Sequence, residues 1–374
     1  MTRYFLAVCA FLPVLALAQV PQPPQVVGRA WVLADVSSGQ ILAAEKPDER
    51  FEPASLTKLM TAYLVFAALK EKKLGLEEQV GVSEKAWRAP GSRMFVEPRK
   101  PVTADELIRG MIVQSGNDAC IALAERVAGS EEAFAGMMNR EAARLGMTNS
   151  KFMNASGLPD PRHYSTARDL YLLASALIRD FPEQYAQYYS QREYRYNGIT
   201  QPNRNRLLWL DSTVDGVKTG FTEAAGYCLV ASSKRGPRRL LSVLLGSTSE
   251  TARAQESQKL LNWGFQFFDA VRLYAGGAAV KEVEVWKGAK RTLKAGFRGD
   301  LLVSVPKGQA DRLKAELLTP SPLVAPVADG ARVGNLHVTL DGKPVGEYPV
   351  IALEAVPAAG IFGRAWDTLR LWLK

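Results

Sequence analysis

Histidine is almost missing from this 374-residue chain, which contains only His163 and His337. The second lies in a region that reads as a separate β-rich unit, so the pair argues against a Ser-His-Asp triad and against a His-rich zinc centre. His163 reads instead as support for the turn before Ser165-Thr166. No glycine-rich phosphate loop occurs, and no Lys/Arg run is interleaved with aromatics, which points away from nucleic acid. Cysteine is scarce as well. Cys9 falls in an N-terminal leader, leaving Cys120 and Cys228 in the apolar stretches 119–123 and 227–230, the setting of buried free thiols. Spacing alone leaves a bridge between them open.

What is present is ordinary globular composition with a charge excess. Apolar residues make up 47% and charged residues 23%, which rules out wholesale disorder, and the length suits two domains. A formal charge of +9 suits an anionic partner such as a membrane surface or a carboxylate-bearing polymer. Arg3, the apolar run 4–15 and Ala16-Leu17-Ala18 form a secretory signal at residues 1–18, too short for a permanent span. Export is the expectation.

Along the chain, strands at 30–35 and 40–44 joined at Ser37-Ser38-Gly39 predict a hairpin, and a largely apolar helix is predicted from about Ser55. Thr103 and Glu106 form a capping box, Ser115-Gly116-Asn117 interrupts the helical region that follows, and Thr166 caps another helix. Strands follow at 217–219, 227–233 and 240–246, the last two linked by the basic turn 234–239, before a helix at 251–268. Strands at both ends of a helical middle predict one sheet covered by helices. Past Gly276-Gly277, short strands at 280–285, 301–305, 336–340 and 348–353 predict a small all-β domain. The divisions are therefore a leader at 1–18, a main domain of sheet and helices at 19–275, a β domain at 276–356 and a terminal helix at 357–374. In that tail, Ile361, Phe362, Ala365, Trp366, Leu369, Trp372 and Leu373 recur at helical spacing with Arg364, Arg370 and Lys374 offset, the pattern of an interfacial membrane helix over Gly360 to Lys374.

Three short motifs carry chemistry. In Ser55-Leu56-Thr57-Lys58 the serine and lysine share a helix face, and a lysine whose pKa is lowered can serve as the base a serine nucleophile needs. The same spacing recurs in Ser304-Val305-Pro306-Lys307, a strand-to-turn segment, which shows how weak the motif is alone. Ser115-Gly116-Asn117 offers a proton relay and an amide able to hold a substrate carbonyl or the lysine. Lys218-Thr219-Gly220 brings a cation, a hydroxyl for a carboxylate and a glycine that lets a ligand approach a strand edge. Their order and setting match the S-x-x-K, S-D-N, K-T-G set of penicillin-binding proteins and class A β-lactamases, with Gly116 in the place of the usual Asp.

With Asn197-Gly198-Ile199-Thr200-Gln201, Asn203-Arg204-Asn205 and Asp215-Gly216-Val217 added, the chain from about Gly28 onward resembles the low-molecular-mass penicillin-binding proteins of D-alanyl-D-alanine carboxypeptidase type. The resemblance implies an α/β (α+β) serine β-lactamase/DD-peptidase-like catalytic domain with an antiparallel sheet covered by helices, then a β domain and an amphipathic helix. It implies that Ser55, Lys58, Ser115 and Lys218 are catalytic and that the backbone N–H groups of Ser55 and Phe221 form an oxyanion hole. Asn117, Thr219, Gly220, Phe221, Arg204 and Arg253 would bind substrate, the two arginines near its free carboxylate. Family members often carry His where Phe221 stands. No cofactor is implied; the partners implied are a peptidoglycan stem peptide ending in D-Ala-D-Ala, β-lactams as covalent inhibitors, and a membrane surface. The location implied is the periplasmic face of the inner membrane. A β-lactamase is the nearest rival, but the stretch around Ala155-Ser156-Gly157-Leu158 lacks a Glu-x-x-x-Asn. A DD-endopeptidase and a non-enzymatic wall-binding scaffold remain alternatives.

Overall fold

The computed structural model describes residues 21–372, so the leader at 1–18 and the last two residues of the tail lie outside the described residues. Strand β1 (Ala30–Asp35) is buried along its whole length and turns through Gly39 (φ 74°) into β2 (Gln40–Glu45), the expected hairpin. A 3-10 turn over Ala54–Thr57 precedes α1 (Lys58–Lys70), so Ser55 sits on the tighter turn and the α-helix begins three residues beyond it. The helical middle comprises α2 (Glu84–Trp87), α3 (Ala104–Ile112), α4 (Asn117–Ala128), α5 (Glu131–Arg144), α6 (Ala167–Asp180) and α7 (Pro182–Tyr188). The capping box forms as predicted, with Glu106 N donating to Thr103 Oγ1 and Thr103 N to Glu106 Oε2. Thr166 Oγ1 likewise accepts from Asp169 N at the start of α6.

A hairpin of β3 (Glu193–Tyr196) and β4 (Ile199–Pro202) turns at Asn197-Gly198, where both φ angles are positive (48° and 79°), as a two-residue hairpin turn of the favoured hand requires. After α8 (Leu207–Leu210) come β5 (Val214–Thr222), β6 (Gly226–Arg235), β7 (Arg238–Ser247) and α9 (Glu250–Phe267). The basic turn expected at 234–239 contracts to Gly236-Pro237, because Lys234 pairs with Arg239 and Arg235 with Arg238. β7 returns beside β1, giving the antiparallel order β2-β1-β7-β6-β5 with β5 at the edge. Side-chain alternation then divides the core. On β7, Leu241, Val243 and Leu245 join Leu170 and Leu173 of α6, whereas Leu240 and Leu244 join Leu260 and Leu261 of α9.

The remainder holds β8 (Phe268–Tyr274), β9 (Ala279–Glu284), β10 (Thr292–Gly296), β11 (Leu301–Pro306), β12 (Leu313–Leu318), β13 (Arg332–Leu340) and β14 (Lys343–Ala352). They form a β12-β13-β14-β10-β9 sheet and a β8–β11 pair around their own core of Val303, Leu336, Val338 and Val350. β8 lies on the catalytic side of the division read at 275 yet hydrogen-bonds to β11. α9 runs straight into β8 without a glycine or proline, so no local signal marks the change. The chain closes in α10 (Ile361–Trp372), the helix expected of the tail.

Candidate active site

The sheet edge, the Ser55 turn and the α3–α4 junction converge on a cleft of about 340 Å³ lined by Ser55, Ser115, Asn117, Arg204, Thr219, Gly220, Phe221 and Arg253. A roomier groove of about 550 Å³ beside α7 holds none of these residues. Lys58, at the first position of α1, is buried and places Nζ 3.0 Å from Ser55 Oγ, 2.7 Å from Asn117 Oδ1 and 2.6 Å from the Ser156 carbonyl. Two of these neighbours matter together. A backbone carbonyl and an amide oxygen can only accept, so Lys58 gives each of them a hydrogen, and loss of its remaining proton leaves the lone pair facing the Ser55 hydroxyl. Burial, helped by the nearby Arg204 cation, holds the Lys58 ammonium below the ordinary lysine range.

Asn117 is itself fixed: its Nδ2 donates to the Pro90 carbonyl at 2.6 Å, which aims Oδ1 at Lys58. Of the two roles open to this amide from sequence, the geometry shows the hold on lysine. Lys218 donates to Ser115 Oγ at 2.9 Å and to its neighbour's carbonyl, Thr219 O, at 3.2 Å. Burial first, then the charges of Lys58 and Arg204, push the Lys218 ammonium well below its usual range. The site therefore contains two serine hydroxyls, each hydrogen-bonded to a buried lysine whose pKa burial lowers.

The two arginines are not equivalent. Arg204 is exposed at the cleft, flanked by buried Asn203 and Asn205, with Asn205 Nδ2 tied to Gly216 O at 3.0 Å. Arg253 is buried and engaged on the scaffold: it reaches Gly220 O at 3.3 Å, Arg204 O at 3.4 Å and Glu250 at 3.3 Å. Phe221 is exposed at the rim, its ring 4.5 Å from that of Tyr227.

Several supports have no motif in the sequence reading. Asp118 accepts from the backbone N–H groups of Met94, Phe95 and Val96 and so fixes the loop that faces Asn117. Asn154 Oδ1 accepts from Ser156, Gly157 and Leu158, shaping the turn that delivers Ser156 O to Lys58. Gly157 has φ +85°, and a Cβ there would lie 1.8 Å from Ala54 O. An Asn two to four residues before a glycine turn is the usable signal for such a knot. Gly116 is also explained: a Cβ would stand 2.8 Å from Asp118 Oδ1 and 3.1 Å from Met94 N, so the Asp118-bound loop occupies the space.

Residues 17–249 match the D-alanyl-D-alanine carboxypeptidase family, and residues 268–358 match the C-terminal domain of penicillin-binding protein 5. The chain belongs to the D-alanyl-D-alanine carboxypeptidase family. It is 46% identical over 360 residues to the carboxypeptidase DacC of Escherichia coli K12, covering 94% of this chain and 90% of that protein. With DacA of the same organism identity is 40%, over 94% of this chain and 89% of the relative. Penicillin-binding protein 5 of Haemophilus influenzae superposes with a TM-score of 0.84 at 40% identity, over 90% of this chain and 99% of that one. Penicillin-binding protein D2 of Listeria monocytogenes, solved with ampicillin bound, gives 0.59 at 31% identity, over 64% and 98%. The fold expected for this family, an α/β catalytic domain followed by a β domain, is the fold observed.

Proposed function

We propose that the protein is a serine D-Ala-D-Ala carboxypeptidase that trims the terminal D-alanine from peptidoglycan stem peptides and thereby limits crosslinking. The observation that carries this reading is the Lys58 amine 3.0 Å from Ser55 Oγ, with acceptors on its other sides. Ser55 Oγ attacks the carbonyl carbon between the two D-alanines while Lys58 takes the hydroxyl proton. The oxyanion meets the backbone N–H groups of Ser55 and Phe221; losing one such donor typically costs about 3 kcal/mol. Collapse breaks the C–N bond, and the leaving D-alanine nitrogen gains its proton through Ser115 and Lys218. Arg204, with Thr219 and Lys218, receives the leaving carboxylate, while Arg253 holds Gly220 and Arg204 in place. Water then cleaves the Ser55 ester and restores the hydroxyl.

Penicillin would acylate Ser55 by the same route. Glu250 is the carboxylate that lines the cleft, and it lies at the mouth 3.3 Å from Arg253, poorly set to drive the fast deacylation of a β-lactamase. We assign export to the leader at 1–18 and docking on the outer face of the inner membrane to the tail at 357–374. Ile361, Phe362 and Trp372 are exposed there, while the helix is pinned by Lys287 N donating to Asp367 Oδ2 at 2.7 Å.

The test is D-alanine release from diacetyl-Lys-D-Ala-D-Ala with and without benzylpenicillin. Release that penicillin blocks, together with loss of both labelling and release in Ser55→Ala, is expected. Penicillin destroyed over many turnovers without D-alanine release would make the chain a β-lactamase.

A further inference from the structure

The two segments that would supply the oxyanion donors come from opposite ends of the domain, and the structure ties them together just outside the cleft. Glu52 stands three residues before Ser55, and Thr222 directly follows Phe221. Thr222 Oγ1 donates to Glu52 Oε2 at 3.0 Å and accepts from Ala225 N at 3.0 Å, closing the β5–β6 turn upon the same hydroxyl. Glu52 directly precedes Pro53, the N-cap of the 3-10 turn that carries Ser55. Arg29 makes a parallel tie. Its guanidinium lies 4.5 Å above the Phe51 ring and donates to Ala224 O at 2.7 Å and Ala225 O at 3.1 Å.

Between these ties the backbones touch. A Cβ on Gly220 would stand 3.2 Å from Pro53 O and 3.3 Å from the Ala54 side chain. Ala54 itself is held at φ 48°, a left-handed conformation an alanine resists, so the turn needs outside restraint. β5 is an edge strand with one side unpaired, and Thr219 O accepts from Lys218 Nζ at 3.2 Å. Backbone groups alternate along a strand, so the Phe221 N–H points to the same side as the Thr219 carbonyl that meets Lys218.

We propose that Glu52 and Thr222 form a clamp that sets the separation of the Ser55 and Phe221 N–H donors, making both positioning residues for the oxyanion hole. The proposal rests on the serine-peptidase reading above. A hole that is too wide loses the developing oxyanion far more than it loses bound substrate, because the donors are aimed at the tetrahedral oxygen. The defect therefore falls on kcat and on binding of tetrahedral adducts, with KM nearly unchanged.

The full chain and its Thr222→Val, Glu52→Ala and double variants are compared for kcat, KM and affinity for a peptidyl boronic acid that forms a tetrahedral adduct with serine. Thr222→Ser and Glu52→Gln, which keep the hydrogen bond, serve as rescue variants. Expected are at least tenfold losses in kcat and boronate affinity in each single variant, KM within threefold, and a double variant no worse than either single. Both rescue variants should lie within threefold of the parent. Unchanged boronate affinity in the single variants, or losses that multiply in the double variant, would overturn the clamp. Loss of activity in the rescue variants equal to that in Val and Ala would also overturn it. If the parent chain neither releases D-alanine nor binds the boronate, the peptidase reading fails first and the clamp falls with it.

Discussion

Behind Ser55, a single imidazole shows how burial decides chemistry at one residue. His163 is buried, and its Nε2 lies 3.0 Å from Thr57 Oγ1, on the 3-10 turn that carries Ser55. It therefore does more than brace the turn before Ser165, because it also buttresses the turn that carries the nucleophile. Desolvation pushes its pKa down to about 4 from 6.5. Between those values the unfolded chain binds a proton at this position and the folded chain does not, so stability falls as pH drops from 6.5 towards 4. The shift corresponds to at most about 3 kcal/mol. His163→Gln should flatten that part of the stability profile, measured as urea midpoints at pH 7 and 4.5. An unchanged acid slope in the variant would show that other groups set it. The cysteines tell the complementary story: burial raises the Cys120 thiol to about 12 and Cys228 to about 11, and both are free. Neither forms the bridge that spacing left open.

At the scale of elements, what was legible depended on where the stabilising contacts lie. The Thr103 capping box, the Thr166 cap and the Ser37-Ser38-Gly39 turn depend on neighbours within a few residues, and each forms where the sequence places it. By contrast, α5 alternates Phe134 and Met138 with glycine and charge, and the β3–β4 hairpin is half exposed, so neither has a strong periodic pattern. β8, β10 and β12 are likewise short and partly exposed. The site divides in the same way. Ser55, Lys58, Ser115 and Lys218 carry motif signals and Asn154 a local Asn-to-glycine turn signal, whereas Asp118 and Glu52 act across contacts between distant segments that no local pattern announces. The second S-x-x-K is the sharpest case. Ser304 lies on β11, and its Oγ meets Asp35 Oδ2 at 2.8 Å and Ser38 Oγ at 2.9 Å, while its N–H donates to Gln40 Oε1 at 2.6 Å. The apparent decoy docks the β domain on the first hairpin through a buried carboxylate that also pairs with Arg238 at 2.6 Å. Ser304→Ala should leave Asp35 short of a partner and lower stability by about 1–3 kcal/mol while penicillin labelling persists. Urea denaturation with fluorescent penicillin labelling checks this, and loss of labelling in folded protein would assign Ser304 a part in catalysis.

For the whole molecule, two forces of different reach could hold it to a membrane. One is the net charge of +9, which acts through solution and is screened within about 3 Å at 1 M salt. The other is α10, where Trp366 and Leu369 join Ile361, Phe362 and Trp372 among the exposed apolar residues. Asp367, on the inner side of that helix, accepts from Lys287 N, and Arg370 lies 5.4 Å above the Trp286 ring, so the helix is anchored to the β domain by its polar side. That leaves the apolar residues outward, the orientation an interfacial helix needs, and no helix among the described residues is long and apolar enough to cross a membrane. Apolar insertion survives salt; charge attraction does not. The intact chain without its leader should therefore stay with anionic phospholipid vesicles in 1 M salt. Deleting residues 360–374 should move it to the supernatant at ordinary ionic strength, with D-alanine release and penicillin labelling within about twofold of the parent because the cleft lies in the other domain. Sedimentation of the truncated chain with vesicles would shift the membrane contact to the basic surface, and salt-sensitive binding of the intact chain would do the same.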